Sequence, residues 1–199
     1  MSLKGKRTDQ EPPSSAKKQR TESANKSDPQ ASAAVQDSKV QEPPESIKNP
    51  ILHVGVTGSR DGWTDAQKKR FCSLLQSVGD EIDLVFHHGD CKGVDVQAAT
   101  ECRARKPRSF IEIHPPTKNV QRAFFKDGNK THTSKPYLDR NKDIVDASDE
   151  VWAFPNTDRY QTRSGTWFTI KYAQSQRGKR LWIILPDGQI VAGDQVATT

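Results

Sequence analysis

Three loops of this 199-residue chain hold the residue types that grip anions and sugar hydroxyls. They are Gly58-Ser59-Arg60, the run from His88 through Gly89, Asp90, Cys91, Lys92 and Gly93 to Asp95, and Arg163-Ser164-Gly165-Thr166. Glycine lets the backbone turn sharply and approach a ligand closely. A helix that begins at such a turn offers free N–H groups and the positive end of its dipole to a phosphate. Ser164 and Thr166 add hydroxyl donors, and Arg60 and Arg163 add charge with paired hydrogen bonds. Asp90 and Asp95 suit ribose hydroxyls, and suit N-caps or Asx turns equally well. His87, His88 and Cys91 fit no standard zinc spacing, so neither a metal nor another cofactor is expected.

Such loops act together only if a frame collects them. Ile51-Leu52-His53-Val54-Gly55-Val56 is a short apolar strand that runs into the first loop. Thr64 with Gln67 three residues on forms a capping-box pattern, and Phe71, Leu74, Leu75 and Val78 give the following helix one buried face. A strand over Asp83 to His87 meets the second loop, and a helix follows from about Val94 to Arg105. Phe110 to Ile113 is a third strand, and residues 115–136 form an insertion without clear periodicity. A helix over Tyr137 to Ala147 should turn Leu138, Ile144 and Val145 inward, and it carries Arg140 and Asn141. Glu150 to Phe154 is a fourth strand. The third loop then opens a helix that ends near Gln176, Leu181 to Leu185 is a fifth strand, and Gln189 to Val191 suggests a last edge strand.

Strands alternating with helices give an α/β, Rossmann-like three-layer sandwich with a mostly parallel central sheet. The strands are continuous apolar runs, as burial on both faces requires. Ligands of such sheets bind beyond the carboxyl ends of the strands, where all three loops fall.

Residues 1–49 read differently. They hold five of the twelve prolines, no aromatic residue, nine Lys/Arg and seven Asp/Glu. So little apolar surface cannot offset ordering entropy, and a disordered polar tail is expected before a domain over 50–193, with a short tail over 194–199. The clusters Lys4-Gly5-Lys6-Arg7 and Lys17-Lys18-Gln19-Arg20 have the form of a bipartite nuclear-localisation signal, or are simply a solvated charged segment. Three unpaired-looking cysteines argue against a disulfide framework and for an intracellular chain, in cytoplasm or nucleus. No apolar run approaches the roughly 20 residues of a membrane span, so no membrane partner is expected.

In order, Gly55-Val56-Thr57-Gly58-Ser59-Arg60, His88-Gly89-Asp90-Cys91-Lys92-Gly93-Val94-Asp95, Arg140-Asn141 and Ser164-Gly165-Thr166 resemble the SLOG superfamily. That superfamily unites bacterial DNA-processing protein A with the LOG phosphoribohydrolases. The resemblance implies a Rossmann-like fold, a nucleotide or nucleotide-sugar ligand, and often a homodimer. It departs where LOG enzymes carry a glutamate after the glycine-rich turn, because Trp167, Phe168, Thr169 and Ile170 follow here. Three functions stay open. One is nucleotide binding through the phosphate-cradling loops. Another is N-glycoside hydrolysis of a nucleoside monophosphate, with Asp90, Asp95 or Asp158 replacing the missing acid. The third is single-stranded nucleic-acid binding by the insertion, which places Lys118, Arg122, Lys126, Lys130 and Lys135 beside Phe124 and Phe125. A solvated loop pinned by the two phenylalanines is the plainer account of that insertion.

Overall fold

The structure, a computed structural model, describes residues 49–195. The basic clusters at Lys4 to Arg20, and the import signal read from them, lie outside the described residues. The elements run β1 (Ile51–Gly58), α1 (Asp65–Ser77), β2 (Asp83–His88), α2 (Val94–Arg105), β3 (Phe110–Ile113), β4 (Lys130–Thr131), α3 (Tyr137–Asp146), β5 (Glu150–Phe154), α4 (Gly165–Ser175), β6 (Arg180–Ile184) and β7 (Ile190–Ala192).

One seven-stranded sheet has the order β4-β3-β2-β1-β5-β6-β7. All neighbours are parallel except β7, which returns antiparallel on β6. This is the Rossmann-like α/β sandwich that the sequence patterning implies. The chain winds outward from β1 to β4, then restarts on the other side of β1 with β5. The crevice between the carboxyl ends of β1 and β5 is therefore the topological switch point, where open α/β sheets bind ligands.

Alternation along β5 divides the core. Trp152 and Phe154 pack with Phe71 and Leu75 of α1 and Val94 and Ala98 of α2, while Val151 and Ala153 pack with Val145 of α3 and Trp167 and Ile170 of α4. Each large side chain buried this way contributes roughly 1.5–3 kcal/mol. Phe71 meets Phe86, Trp152 and Phe154 edge-on, with ring centroids 5.8–6.1 Å apart.

Local chemistry fixes the helix starts that frame the crevice. The Thr64 hydroxyl accepts from the Gln67 N–H at 3.1 Å, and Gln67 Oε1 accepts from the Thr64 N–H at 3.0 Å, completing the capping box. The buried Gln67 amide also donates to the carbonyls of Pro155 and Ile184, both at 2.8 Å, and so ties α1 to the ends of β5 and β6. Ser164 caps α4 through its hydroxyl, which accepts from the Trp167 N–H at 3.3 Å.

Two expectations need correction. The insertion contains β4, two residues hydrogen-bonded in parallel to β3. Leu138 is half exposed rather than inward. The buried residues of α3 are Arg140, Asn141, Ile144 and Val145, a stripe that leaves Leu138 on the cavity side.

A candidate anion-binding cavity at the switch point

A cavity of about 390 Å³ opens at the carboxyl ends of β1 and β5. That is within the range of small-molecule sites, roughly 300–1,000 Å³. Its wall takes Gly58, Ser59 and Arg60 from the end of β1, Asp95 from α2, Arg140 and Asn141 from α3, and Arg163, Ser164, Gly165 and Thr166 from the start of α4. Ten of the residues singled out by sequence thus meet around one space. Sequence reasoning missed Thr57, Asp61, Cys91 as a wall residue, Tyr137, Asn156 and Gln161. No sequence signal marks Tyr137, whose ring lies under the Arg60 guanidinium, 4.9 Å from centroid to Cζ.

Arg140 is the most telling wall residue. It is 5% exposed, and its Nε has no hydrogen-bond partner among the described residues. Nη2 donates to the Cys91 sulfur at 3.1 Å, and Nη1 stands 3.6 Å from Asp95 Oδ2, too far for a strong bidentate pair. Asp95 spends part of its capacity on the Cys91 N–H, 3.2 Å away. Burial pushes the Asp95 carboxyl upward, and the Arg140 charge opposes that rise. Burial, followed by the charge of Arg140, pushes the His88 imidazole down to about 3. A guanidinium so placed is under-compensated, and a buried charge costs several kcal/mol when incompletely paired. Cys91 is no nucleophile in this setting. Burial, then Asp95, pushes its thiol up to about 11, so it stays protonated at neutral pH.

Beside Arg140 lies the first turn of α4. The N–H groups of Gly165 and Thr166 have no acceptor within the helix, as at any helix start. Asn141 steadies this turn by donating to Thr169 Oγ1 at 2.8 Å and to the Gly165 carbonyl at 3.4 Å. A Cβ added at Gly165 would meet nothing closer than Asn141 Nδ2 at 4.0 Å. Packing therefore does not demand glycine there, and its missing side chain leaves room on the cavity side.

Gly89, Asp90, Lys92 and Gly93 do not line the cavity. Gly89 makes room for the Arg140 guanidinium, which occupies the space of any side chain at 89. Gly93 has φ +82° and lies against the carbonyls of Ser59 and Arg60, so the start of α2 can dock on the first loop, with the Val94 N–H donating to Ser59 O at 3.0 Å. Lys92 is exposed. Asp90 is fully buried and holds the insertion through Arg122 Nε and the Phe125 N–H. Asp158 is not among the cavity residues either.

In the insertion, Phe125 packs partly buried against the core, whereas Phe124 is exposed under the Arg122 guanidinium. Arg122, Lys130 and Lys135 are ion-paired with Asp90, Glu112 and Asp143. Among the described residues no helix is long and apolar enough to cross a membrane.

No family model matches the chain, and no curated protein matches it. Among solved structures it is similar to TM1055, a structural genomics target, at 12% identity and a TM-score of 0.43, over 65% of this chain and 72% of that one. It is also similar to DNA processing protein A from Helicobacter pylori, whose structure addresses its single-stranded DNA binding mode. Identity there is 22% and the TM-score 0.44, over 72% of this chain and 69% of the other. The likenesses are distant, and the fold assignment stands on the strand order and helix packing above.

Proposed function

We propose that this cavity binds a nucleotide or nucleotide-derived ligand. Phosphate lies against the first turn of α4, within reach of Arg60, Arg140 and Arg163. The observation that carries the reading is Arg140: a buried, under-compensated guanidinium in the wall of a cavity whose adjoining helix start offers free N–H groups. The three arginines of the wall face two carboxylates, Asp61 and Asp95, so the balance favours an anion.

Thermal unfolding with AMP, ADP, ATP, ADP-ribose and NAD tests this. A bound ligand at 100 times its Kd stabilises the fold by about 2.7 kcal/mol, which raises Tm by several degrees. A flat response to the whole set at millimolar concentration sinks the proposal. Release of free base from a bound monophosphate would add the hydrolase chemistry, for which Asp61 and Asp95 are the carboxylates that the described residues bring to the wall.

Gly165 gives a sharper check. Gly165→Ala fits the protein and improves the helix, so stability should hold or rise by about 0.4–1 kcal/mol. Its methyl group enters the space of closest phosphate approach, and nucleotide affinity measured by calorimetry should fall at least tenfold. Unchanged affinity would move the phosphate away from α4.

A further inference from the structure

All five histidines of the chain are described, and four of them gather with one carboxylate, none of them lining the cavity. Parallel pairing sets His87 of β2 beside Glu112 of β3, and Glu112 beside Lys130 of β4. His114 and His132 each follow two residues on, which returns them to the same side of the sheet. His87 Nδ1 lies 3.1 Å from His114 Nε2 and 3.8 Å from Glu112 Oε2. His87 and His114 are 1% and 3% exposed.

We propose that His87, Glu112 and His114 form a binding site for a divalent transition-metal ion, zinc by its donor set. A tetrahedral zinc ion with bonds of about 2.0–2.1 Å spaces its ligand atoms about 3.3 Å apart. The three donor atoms already lie within 4.8 Å of one another, and the His87 nitrogen stands near that spacing from both partners. Two imidazoles and a carboxylate leave a fourth position for water, as in zinc sites with three protein ligands.

The surroundings suit a ligand set. His87 Nε2 is 3.0 Å from His53 Nδ1, so the tautomer with its proton on Nε2 can donate to His53 and leave the Nδ1 lone pair for the metal. Metal-bound histidines characteristically donate their other N–H in this way. The His132 nitrogen is 2.5 Å from Glu112 Oε2 and its ring stacks on His114 with centroids 4.0 Å apart, so it steadies both neighbours. The Lys130 ammonium, 3.2 Å from both Glu112 oxygens, is the competitor, and it is half exposed and free to swing into water. Chain spacing alone hides the site, because His87 lies on β2 while Glu112 and His114 lie on and just after β3, with α2 between them.

The test uses the full chain purified without a polyhistidine tag and stripped with chelator. Zinc titrated against a chromogenic chelator should bind one per chain with a Kd below micromolar, and cobalt should give the visible absorption of a tetrahedral site. His114→Gln and Glu112→Gln should each weaken zinc at least 100-fold, with circular dichroism confirming the fold. If one of the two does not fold, the other decides. Lys130→Met removes the competitor and no ligand, and should bind zinc at least as tightly as the parent. No saturable binding at micromolar zinc, parent-like binding in the ligand variants, or loss of binding in Lys130→Met overturns the proposal.

Discussion

Replacing Arg140 with methionine should lower nucleotide affinity by roughly 100-fold or more while costing little stability. Two effects compete in the unliganded protein. Removing the guanidinium strands Asp95, which Arg140 approaches at 3.6 Å, and leaves a gap over Gly89. It also relieves the burial of a cation whose Nε has no partner. Uncompensated burial costs several kcal/mol per ion, whereas removing one partner of a well-formed buried pair costs about 3–5 kcal/mol; the 3.6 Å separation from Asp95 makes this pair a loose one, so the two terms largely offset. Methionine fills much of the vacated space, and Asp95 can meet its own burial by taking up a proton, the direction in which burial already pushes it. With ligand bound the balance changes, because a phosphate completes the charge pairing. Truncating one partner of a buried, hydrogen-bonded charge pair costs about 2–5 kcal/mol, and 2.7 kcal/mol is about 100-fold in Kd. Calorimetric Kd values beside urea midpoints separate the two effects. Arg140→Lys keeps charge but loses the planar fork and should recover only part of the affinity. The double variant Asp95→Asn with Arg140→Met should regain any lost stability without regaining binding. Affinity within threefold of the parent in Arg140→Met would remove Arg140 from the phosphate site.

Sequence reading reached as far as local pattern reaches. The apolar runs at Phe110–Ile113 and Glu150–Phe154 are strands with the expected bounds, and α2 spans Val94–Arg105 as expected. These segments announce themselves because burial on both faces, or on one helical face, selects residue types over consecutive positions. β4 had no such signal: its two residues, Lys130 and Thr131, are exposed, and no apolar run marks them for pairing with β3. The loops that meet at the cavity were legible because glycine beside Ser, Thr or Arg marks where a chain turns and what it can offer. Their division of labour was not. Gly89 and Gly93 look like phosphate glycines in sequence, yet one accommodates Arg140 and the other accommodates two carbonyls, and both neighbours are distant in the chain. The histidine cluster was hidden for the same reason. His87 and Glu112 become neighbours only through strand register, a long-range property that spacing does not encode.

Asp90 supplies the second large effect, and it falls on stability. Asp90→Ala should destabilise the domain by about 3 kcal/mol and leave nucleotide affinity within about threefold of the parent. The carboxylate is fully buried, with Oδ2 accepting from Arg122 Nε at 2.5 Å and Oδ1 accepting from the Phe125 N–H at 2.9 Å, while its backbone carbonyl accepts from the Ala123 N–H at 2.7 Å. It clamps the segment that brings Phe125 onto the core. Hydrogen bonds to a charged group contribute about 1.5–3 kcal/mol each. Arg122 is a quarter exposed and can return to water, which holds the total near the lower end of the range for breaking a buried pair. The backbone adds to the loss. Asp90 has φ +55°, a region that Asn and Asp tolerate better than other side chains do, so alanine is strained there. Asn therefore makes the informative control: Asp90→Asn keeps the backbone conformation and an acceptor for Phe125 but loses the charge and the acceptor for Arg122, so it should cost less than alanine. Urea unfolding with an unchanged m-value reads the difference. A ribose-binding aspartate would behave the opposite way, with stability preserved and affinity lost, and that result would return Asp90 to the ligand site.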